Sequence, residues 1–249
     1  MSGGSGAAGG PSGGSGGVGG TSGGSGGGGG AAIDHNAVGA IVVLGSSTAA
    51  GTGPTDPKNT WVERYRAYLK MEFPKFVLTN LAVGGYATAD IQPSDFQSPG
   101  KAGHNITAAL ELKPQAIIIN MPTNDTEYGV SASAQMVNFA RVTDLATKSG
   151  VTCWVTTSQP RDFKGESAQD VLKKHQTLMA VRDAINAKYT DHSLDFWTPF
   201  ANADGSIKPE FERTDLAQPD GIHMDDAAHA IMATTVIAAK IPEAIISKR

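Results

Sequence analysis

Two segments at opposite ends of the chain carry residue types suited to nucleophilic catalysis. Ser47 follows an apolar run at residues 40–44 and lies in a loop of small residues at 45–53. A hydroxyl at such a turn is exposed at the edge of a sheet, close to backbone amide donors. Near the other end, Asp220 precedes His223 by three residues, so its carboxylate reaches Nδ1 and leaves Nε2 free to take a proton from a hydroxyl. The three residues predict a nucleophile, Ser47, a general base, His223, and an orienting carboxylate, Asp220.

Each of these two segments also has other interpretations. The loop at 45–53 is compatible with phosphate binding or with a plain tight turn, although no Gly-Lys-Ser/Thr follows it and it lacks Gly-x-Gly-x-x-Gly. Ser46 is the alternative nucleophile. Asp220 alternatively caps a helix beside a surface histidine. A metal site is a further option, although no second histidine lies at a suitable spacing; its ligands would be Asp220, His223, Asp225 and Asp226.

A second Asp-x-x-His pair, Asp226 and His229, follows directly. Both residues are expected inside the final helix, facing along its surface, so a structural role is predicted for His229.

Two loops between these segments offer hydrogen-bond donors for an oxyanion. The pair Gly84-Gly85 follows the apolar run at 76–81, and glycine lets a backbone N–H approach a substrate oxygen without side-chain interference. Asn124 follows the run at 116–120, and its carboxamide can donate to the same oxygen. Taken singly, each loop is equally compatible with ordinary turn chemistry.

Three further residues are candidates for substrate contact. Tyr86 directly follows Gly85 and is expected to line the pocket. Pro160 and Arg161 follow the apolar run at 151–156 and are expected to border the acyl or alcohol site.

The elements that must position these residues alternate along the chain. Five short apolar runs predict strands at 40–44, 76–81, 116–120, 151–156 and 194–197. Segments with helical spacing separate them, and one long Ala-rich helix is expected from 225 to about 246. This order predicts an open, doubly wound α/β sandwich, in which ligands bind beyond the carboxyl ends of the strands.

The set of motifs, taken together, resembles the SGNH/GDSL hydrolases over residues 37–246. The matching positions, in chain order, are Gly45-Ser46-Ser47 for Gly-Asp-Ser, Gly85 for the second-block glycine, Asn124 in Gly-x-Asn-Asp, and Asp220 with His223 in Asp-x-x-His. The stretches around Asp195-Phe196-Trp197 and after Asp220 look like secreted bacterial members. The sequence departs from the family pattern at Ser46, where Asp is usual, and at Pro122, where Gly is usual. These changes leave the reacting groups in place but alter how rigidly the oxyanion donors are held.

The resemblance implies a fold and an activity. The fold is a three-layer α/β/α sandwich with a five-stranded parallel sheet, flavodoxin-like in arrangement. The activity is that of a serine esterase with Ser47, Asp220 and His223 as the triad and with oxyanion donors from the Ser47 and Gly85 N–H groups and the Asn124 side chain. No metal or organic cofactor is implied.

The substrate and three rival functions stay open at this stage. The sequence has no long apolar lid, which favours acetyl or other short acyl groups, including O-acetyl groups on carbohydrate. An acyltransferase would use the same triad. A non-catalytic carbohydrate-binding module and a flavodoxin-like flavin-binding domain are the other two rivals.

The composition indicates where the domain begins and which kinds of partner are not supported. Residues 1–32 are Gly/Ser-rich without charge and predict a flexible tether, leaving 33–249 as the catalytic domain. A net charge of −4 gives no support for nucleic-acid binding, and no apolar run nears 18 residues, which predicts no membrane span. The single cysteine, Cys153, is expected to be an inert core thiol.

The tether also suggests where the protein acts. Such segments often follow an export signal or a lipid-anchored cysteine, so a secreted or cell-envelope-attached bacterial protein is expected, with a possible lipid anchor upstream. The sequence bears no signal for an oligomeric state.

Overall fold

Five parallel strands form the sheet in this computed structural model, which describes residues 33–249. The tether prediction for Met1–Ala32 lies outside the described residues. The strands are β1 (Gly39–Gly45), β2 (Phe76–Asn80), β3 (Ala116–Asn120), β4 (Thr152–Thr156) and β5 (Ser193–Leu194), arranged in the order β2-β1-β3-β4-β5. All neighbouring strands pair in parallel. The predicted five-stranded parallel sheet is therefore confirmed.

The register brings the carboxyl ends of three strands together. Val43 of β1 pairs with Asn80 of β2, and Gly45 of β1 pairs with Asn120 of β3. The loops that follow these strands carry Ser47, Gly85 and Asn124 and so leave the sheet at one edge. The strand β2 lies on one side of β1, and the next strand along the chain, β3, lies on the other side, which makes this edge a topological switch point.

Helices cover both faces of the sheet. They are α1 (Ser47–Ala50), α2 (Trp61–Glu72), α3 (Ile106–Glu111), α4 (Asn124–Glu127), α5 (Ala132–Lys148), α6 (Ala168–Tyr189), α7 (Asp226–Ala238) and α8 (Ile241–Ile246). Ile41 and Val43 of β1 face a core built with α2, α7 and α8. Val42 and Leu44 face the opposite core, built with α3, α5 and α6. This alternation follows from the two-residue period of a strand and yields the predicted three layers.

The fifth strand is shorter than the apolar pattern indicates. It ends at Leu194, whereas the prediction extended it to 197. The Asp195 carboxylate accepts hydrogen bonds from the backbone N–H groups of Trp197 and Thr198, both at 2.9 Å. This local side-chain turn competes with the strand and ends it.

The final helix is two helices. Lys240 adopts a left-handed conformation with φ of 49°, and Pro242 lies in the first turn of α8, so the expected helix from 225 to about 246 is interrupted after Ala238. Within residues 33–249, the stretch Asp226–Ile246 is long and apolar enough to cross a membrane by length and composition. The sequence analysis, which predicted no membrane span, did not single out this stretch. Its buried residues, including Met232 and Ile245, belong to the core against α2.

Candidate active site

Ser47 begins α1 in a tight turn directly after β1. A Cβ added to Gly45 would lie 2.5 Å from the Cβ of Ala49, so only glycine allows this close return of the chain. The Ser46 N–H donates to the Asn120 carbonyl at 3.1 Å and its side chain is fully buried. The Ser47 side chain is only partly buried, and its Oγ faces His223 from near the other end of the chain. The structure thus exposes Ser47 rather than the alternative nucleophile Ser46.

Ser47, His223 and Asp220 form one hydrogen-bonded row. The Oγ of Ser47 lies 2.9 Å from Nε2 of His223, across 176 residues of chain. The Nδ1 of His223 lies 2.7 Å from Oδ2 of Asp220. The other carboxylate oxygen of Asp220 accepts the backbone N–H groups of Ile222 and His223, both at 2.8 Å. This Asx-type turn sets the carboxylate and the imidazole on the same side of the loop.

The electrostatics keep Asp220 ionised. Burial opposes its ionisation, but the hydrogen bonds from the backbone and side chain of His223 and from the Ile222 N–H outweigh it and lower the pKa of Asp220 to about 2. A permanent carboxylate beside an imidazole favours the tautomer with a proton on Nδ1 and stabilises the imidazolium form.

Four contacts, made by three residues, hold the Asp220–His223 loop in place. Arg213 donates to the Asp220 carboxylate at 3.2 Å, and its own backbone N–H donates to the His223 carbonyl at 3.3 Å. The Asp162 N–H donates to the Gly221 carbonyl at 2.8 Å, and Lys164 donates to the Pro219 carbonyl at 2.9 Å. The segment after β4 therefore fastens the loop that carries the histidine.

The loop that carries Gly85 approaches Ser47, and Asn124 is hydrogen-bonded to that loop. A Cβ added to Gly84 would lie 3.9 Å from the Cβ of Ser47, so the glycine loop passes directly over the serine. Gly85 has φ of 83°, which favours glycine, and Asn124 is the first residue of α4. Within residues 33–249, the backbone N–H groups of Ser47 and Gly85 donate no hydrogen bond. One hydrogen of the Asn124 amide donates to the Tyr86 carbonyl at 2.9 Å, and the other stays available.

The three predicted substrate contacts differ in placement. Tyr86 is partly buried beside the oxyanion loop, with its ring edge-on to His104 at a centroid distance of 6.1 Å. Pro160 and Arg161 are buried. Arg161 is paired with Glu127 at 3.3 Å, and burial lowers the pKa of its guanidinium despite the neighbouring carboxylates. The assignment of Pro160 and Arg161 to the border of the substrate site stays a prediction.

The second Asp-x-x-His pair is also placed differently from the expectation. His229 lies in α7 but is fully buried, and its Nδ1 accepts the Trp61 N–H at 3.1 Å. Burial lowers the pKa of His229 to about 3. Asp226 accepts hydrogen bonds from Thr55, and Asp225 caps α7 through the Ala228 N–H. These three side chains have separate hydrogen-bond partners, and in residues 33–249 none of them is hydrogen-bonded to His223.

The described part of the chain contains no site suited to metal binding or to thiol catalysis. No group of three or more His, Cys, Asp or Glu side chains converges to hold a metal ion in residues 33–249. Cys153 is buried in β4, and burial raises the pKa of its thiol to about 12. The thiol is therefore protonated at neutral pH and a poor nucleophile.

Two residues at the site were not identified from the sequence. Arg213 contacts Asp220, and Tyr128, which ends α4, donates from its hydroxyl to the Gly85 carbonyl at 3.1 Å. Neither belongs to a motif. Tyr128 follows Asn124 by four residues, which is one helical turn, and this spacing was the available signal.

Comparisons with known proteins identify the family and the fold. A model of the GDSL-like lipase/acylhydrolase family matches residues 43–231. No curated protein matches the chain. Among solved structures, the psychrotrophic esterase EstA from Pseudoalteromonas sp. is 17% identical with a TM-score of 0.56, covering 81% of this chain and 96% of its own.

Two further structures share the architecture. TesA is 20% identical with a TM-score of 0.57, covering 82% of this chain and 99% of its own. The acetyl xylan esterase AlAXEase is 14% identical with a TM-score of 0.53, covering 81% of this chain and 100% of its own. At these identities the likeness concerns the fold.

Proposed function

Because the chain belongs to the GDSL-like lipase/acylhydrolase family and is thus an ester-bond hydrolase, we propose that it is a serine esterase that uses Ser47, His223 and Asp220 as a catalytic triad. The observation that carries this proposal is the 2.9 Å contact between Ser47 Oγ and His223 Nε2, continued by the 2.7 Å contact between Nδ1 and Asp220. With Nδ1 donating to Asp220, Nε2 is the acceptor for the serine proton.

Acylation begins when Ser47 attacks the ester carbonyl and His223 takes its proton. The tetrahedral oxyanion is stabilised by the N–H groups of Ser47 and Gly85 and by the Asn124 amide. His223 then protonates the departing alkoxide, and a water molecule hydrolyses the acyl-enzyme with His223 again as the base. The free N–H groups and the spare amide hydrogen support this assignment, because donors that are already positioned need little reorganisation in the transition state.

The nucleophile is tested with Ser47→Ala. This variant should lose ester hydrolysis and labelling by a fluorophosphonate probe while keeping the wild-type melting temperature. The matched control is Ser46→Ala, because the Ser46 side chain is fully buried; this variant should keep labelling. Undiminished turnover by Ser47→Ala would refute the assignment.

The oxyanion donor is tested with Asn124→Ala. Loss of one such donor should lower kcat by roughly 10²–10³-fold, because the interaction is made chiefly in the transition state. Steady-state kinetics on a soluble ester measure this effect. An unchanged kcat would leave Asn124 as a turn residue that holds the Tyr86 carbonyl.

For the substrate, we propose short acyl esters, in particular acetyl groups, including O-acetyl groups on carbohydrate. The triad lies at an open loop edge: Gly84 and Gly85 are exposed and Ser47 is partly exposed. A shared fold with an acetyl xylan esterase is in keeping with this class. A panel of esters from acetyl to long-chain acyl groups, together with acetylated polysaccharides, should show the highest kcat/KM for acetyl; a preference for long chains would contradict it.

An acyltransferase with the same triad is the alternative outcome of that panel. It would form a new ester when an alcohol acceptor is added, whereas the hydrolase releases free acid. A non-catalytic carbohydrate-binding module would fail to react with the fluorophosphonate probe, and a flavin-binding domain would carry flavin absorbance.

We further propose that the protein acts outside the cell or attached to the cell envelope, because the Gly/Ser-rich composition of residues 1–32 suits a spacer between a domain and a surface. Fractionation of the native cells tests this proposal. Recovery of the full-length chain in the cytoplasm alone would contradict it.

A further inference from the structure

Short helix α4 is attached to the oxyanion loop by side chains one turn apart. Asn124, at its first position, donates to the Tyr86 carbonyl at 2.9 Å, and Tyr128, at its end, donates to the Gly85 carbonyl at 3.1 Å. The Asp125 carboxylate accepts the backbone N–H and the hydroxyl of Thr88, at 2.8 and 2.5 Å. The carbonyls of Gly85 and Tyr86 and the turn at Thr88 are thus all hydrogen-bonded to α4 and its end.

Gly85 depends on such polar contacts for its orientation. Its φ of 83° lies in a region that glycine enters freely, and a Cβ added there would meet no atom within 4 Å. The side of Gly85 on which a side chain would project is therefore open. Holding its carbonyl limits rotation about both of its backbone dihedrals and so limits how far its N–H can turn away from Ser47.

The stability of the fold does not account for a tyrosine at position 128. Its side chain is 62% exposed, and it is the only aromatic residue among the large exposed hydrophobic residues at 33–249. A hydrogen bond at the surface adds little to stability, because water replaces it in the unfolded chain. Its position beside Gly85 accounts for the residue better than stability does.

We propose that Tyr128 is a positioning residue that holds the Gly85 N–H towards the oxyanion through the Gly85 carbonyl. The proposal rests on the proposed function, in which Gly85 is an oxyanion donor. Misorientation of that donor weakens the transition state more than the ground state, since the ester carbonyl oxygen carries little charge before attack.

The test is Tyr128→Phe, which removes the hydroxyl and keeps the exposed ring. We expect kcat for a soluble acetyl ester to fall by about tenfold, as a loss of alignment rather than of a donor, with KM changed less than twofold. Inactivation by a fluorophosphonate, whose tetrahedral adduct places an oxygen in the same site, should slow in parallel. The melting temperature should stay at the wild-type value.

Two variants make the result specific. Tyr189→Phe removes a hydroxyl whose hydrogen-bond partner among residues 33–249 is Thr143 of α5, at 3.4 Å, and should leave kcat and inactivation unchanged. Asn124→Ala reports on the proposed function: loss of activity there with wild-type kcat in Tyr128→Phe would overturn the role of Tyr128 alone. A raised KM with an unchanged kcat in Tyr128→Phe would also overturn it. Retained hydrolysis in Ser47→Ala would instead overturn the proposed function.

Discussion

At the scale of single residues, the hydrogen-bond partners of Asp220 set both its orientation and its pKa. Asp220 is held ionised by four donors: two backbone N–H groups, the imidazole of His223 and the guanidinium of Arg213. Arg213 is in turn held by Asp215 through two contacts of 2.7 and 2.6 Å. The carboxylate is therefore already oriented before a substrate arrives.

Asp220→Asn tests this arrangement through both activity and acid stability. The asparagine amide can donate a hydrogen bond to Nδ1 of His223, which favours the tautomer with the proton on Nε2. Because that tautomer cannot accept the serine proton, kcat should fall by roughly 10²–10⁴-fold. The folded pKa of about 2 lies below the ordinary 3.8, so the ionised carboxylate stabilises the fold above about pH 4, and this stabilisation is lost as the pH falls towards 2. Unfolding by urea at several pH values should show a shallower acid dependence in the variant between pH 4 and 2. Equal slopes would show that Asp220 is not stabilised in the fold.

At the scale of elements, the helix starts follow from local capping. Thr60, Ser131, Ser167 and Asp225 each accept a backbone N–H two or three residues into the helix that follows, as their residue types indicate. The packing of α7 against α2 also includes a hydrogen bond that local capping does not supply. His229 of α7 accepts the N–H of Trp61, the first residue of α2, across 168 residues.

His229→Asn tests this junction, since the amide keeps an acceptor close to the position of Nδ1. The folded pKa of about 3 lies below the ordinary 6.5, so the unfolded chain binds a proton that the folded chain excludes. Wild-type stability should therefore fall on acidification between pH 6.5 and 3, by up to about 1.4 kcal/mol per pH unit from this group. The asparagine variant should lack that contribution, as measured by urea unfolding.

The exposed His35, replaced by Asn, provides the reference for removal of an imidazole at the surface. If His229→Asn and the wild type lose stability in parallel from pH 6.5 to 3, the imidazole is not buried in its neutral form.

At the scale of the whole molecule, residues 33–249 contain both cores and all of the proposed catalytic groups. The domain boundary after Ala32 is a prediction from composition. A chain that begins at Ile33 should keep the melting temperature of the full-length chain within about 1 °C and its kcat on a soluble ester. A markedly lower melting temperature would show that the Gly/Ser-rich segment packs on the domain. Calorimetry and steady-state kinetics on the two chains decide this.

The sequence by itself determined the class of fold and the pattern of chemistry. Short apolar runs at 40–44 and 116–120 specify strands buried on both faces, and their alternation with helical segments restricts the chain to a doubly wound sheet. Ser47, Asn124 and the pair of Asp220 and His223 stand out because the sheet topology brings loops after strands to one edge.

Only the tertiary structure decided which groups hold that site in place and which side chains are interior. Arg213, Asp162 and Tyr128 act through contacts between loops that are distant in sequence, and no local spacing encodes such contacts. Burial of Arg161 and His229 depends in the same way on which elements pack over them. The physical reason is that periodicity reports the immediate neighbours of a residue along the chain, whereas burial and loop contacts are set by partners that the fold brings from far away.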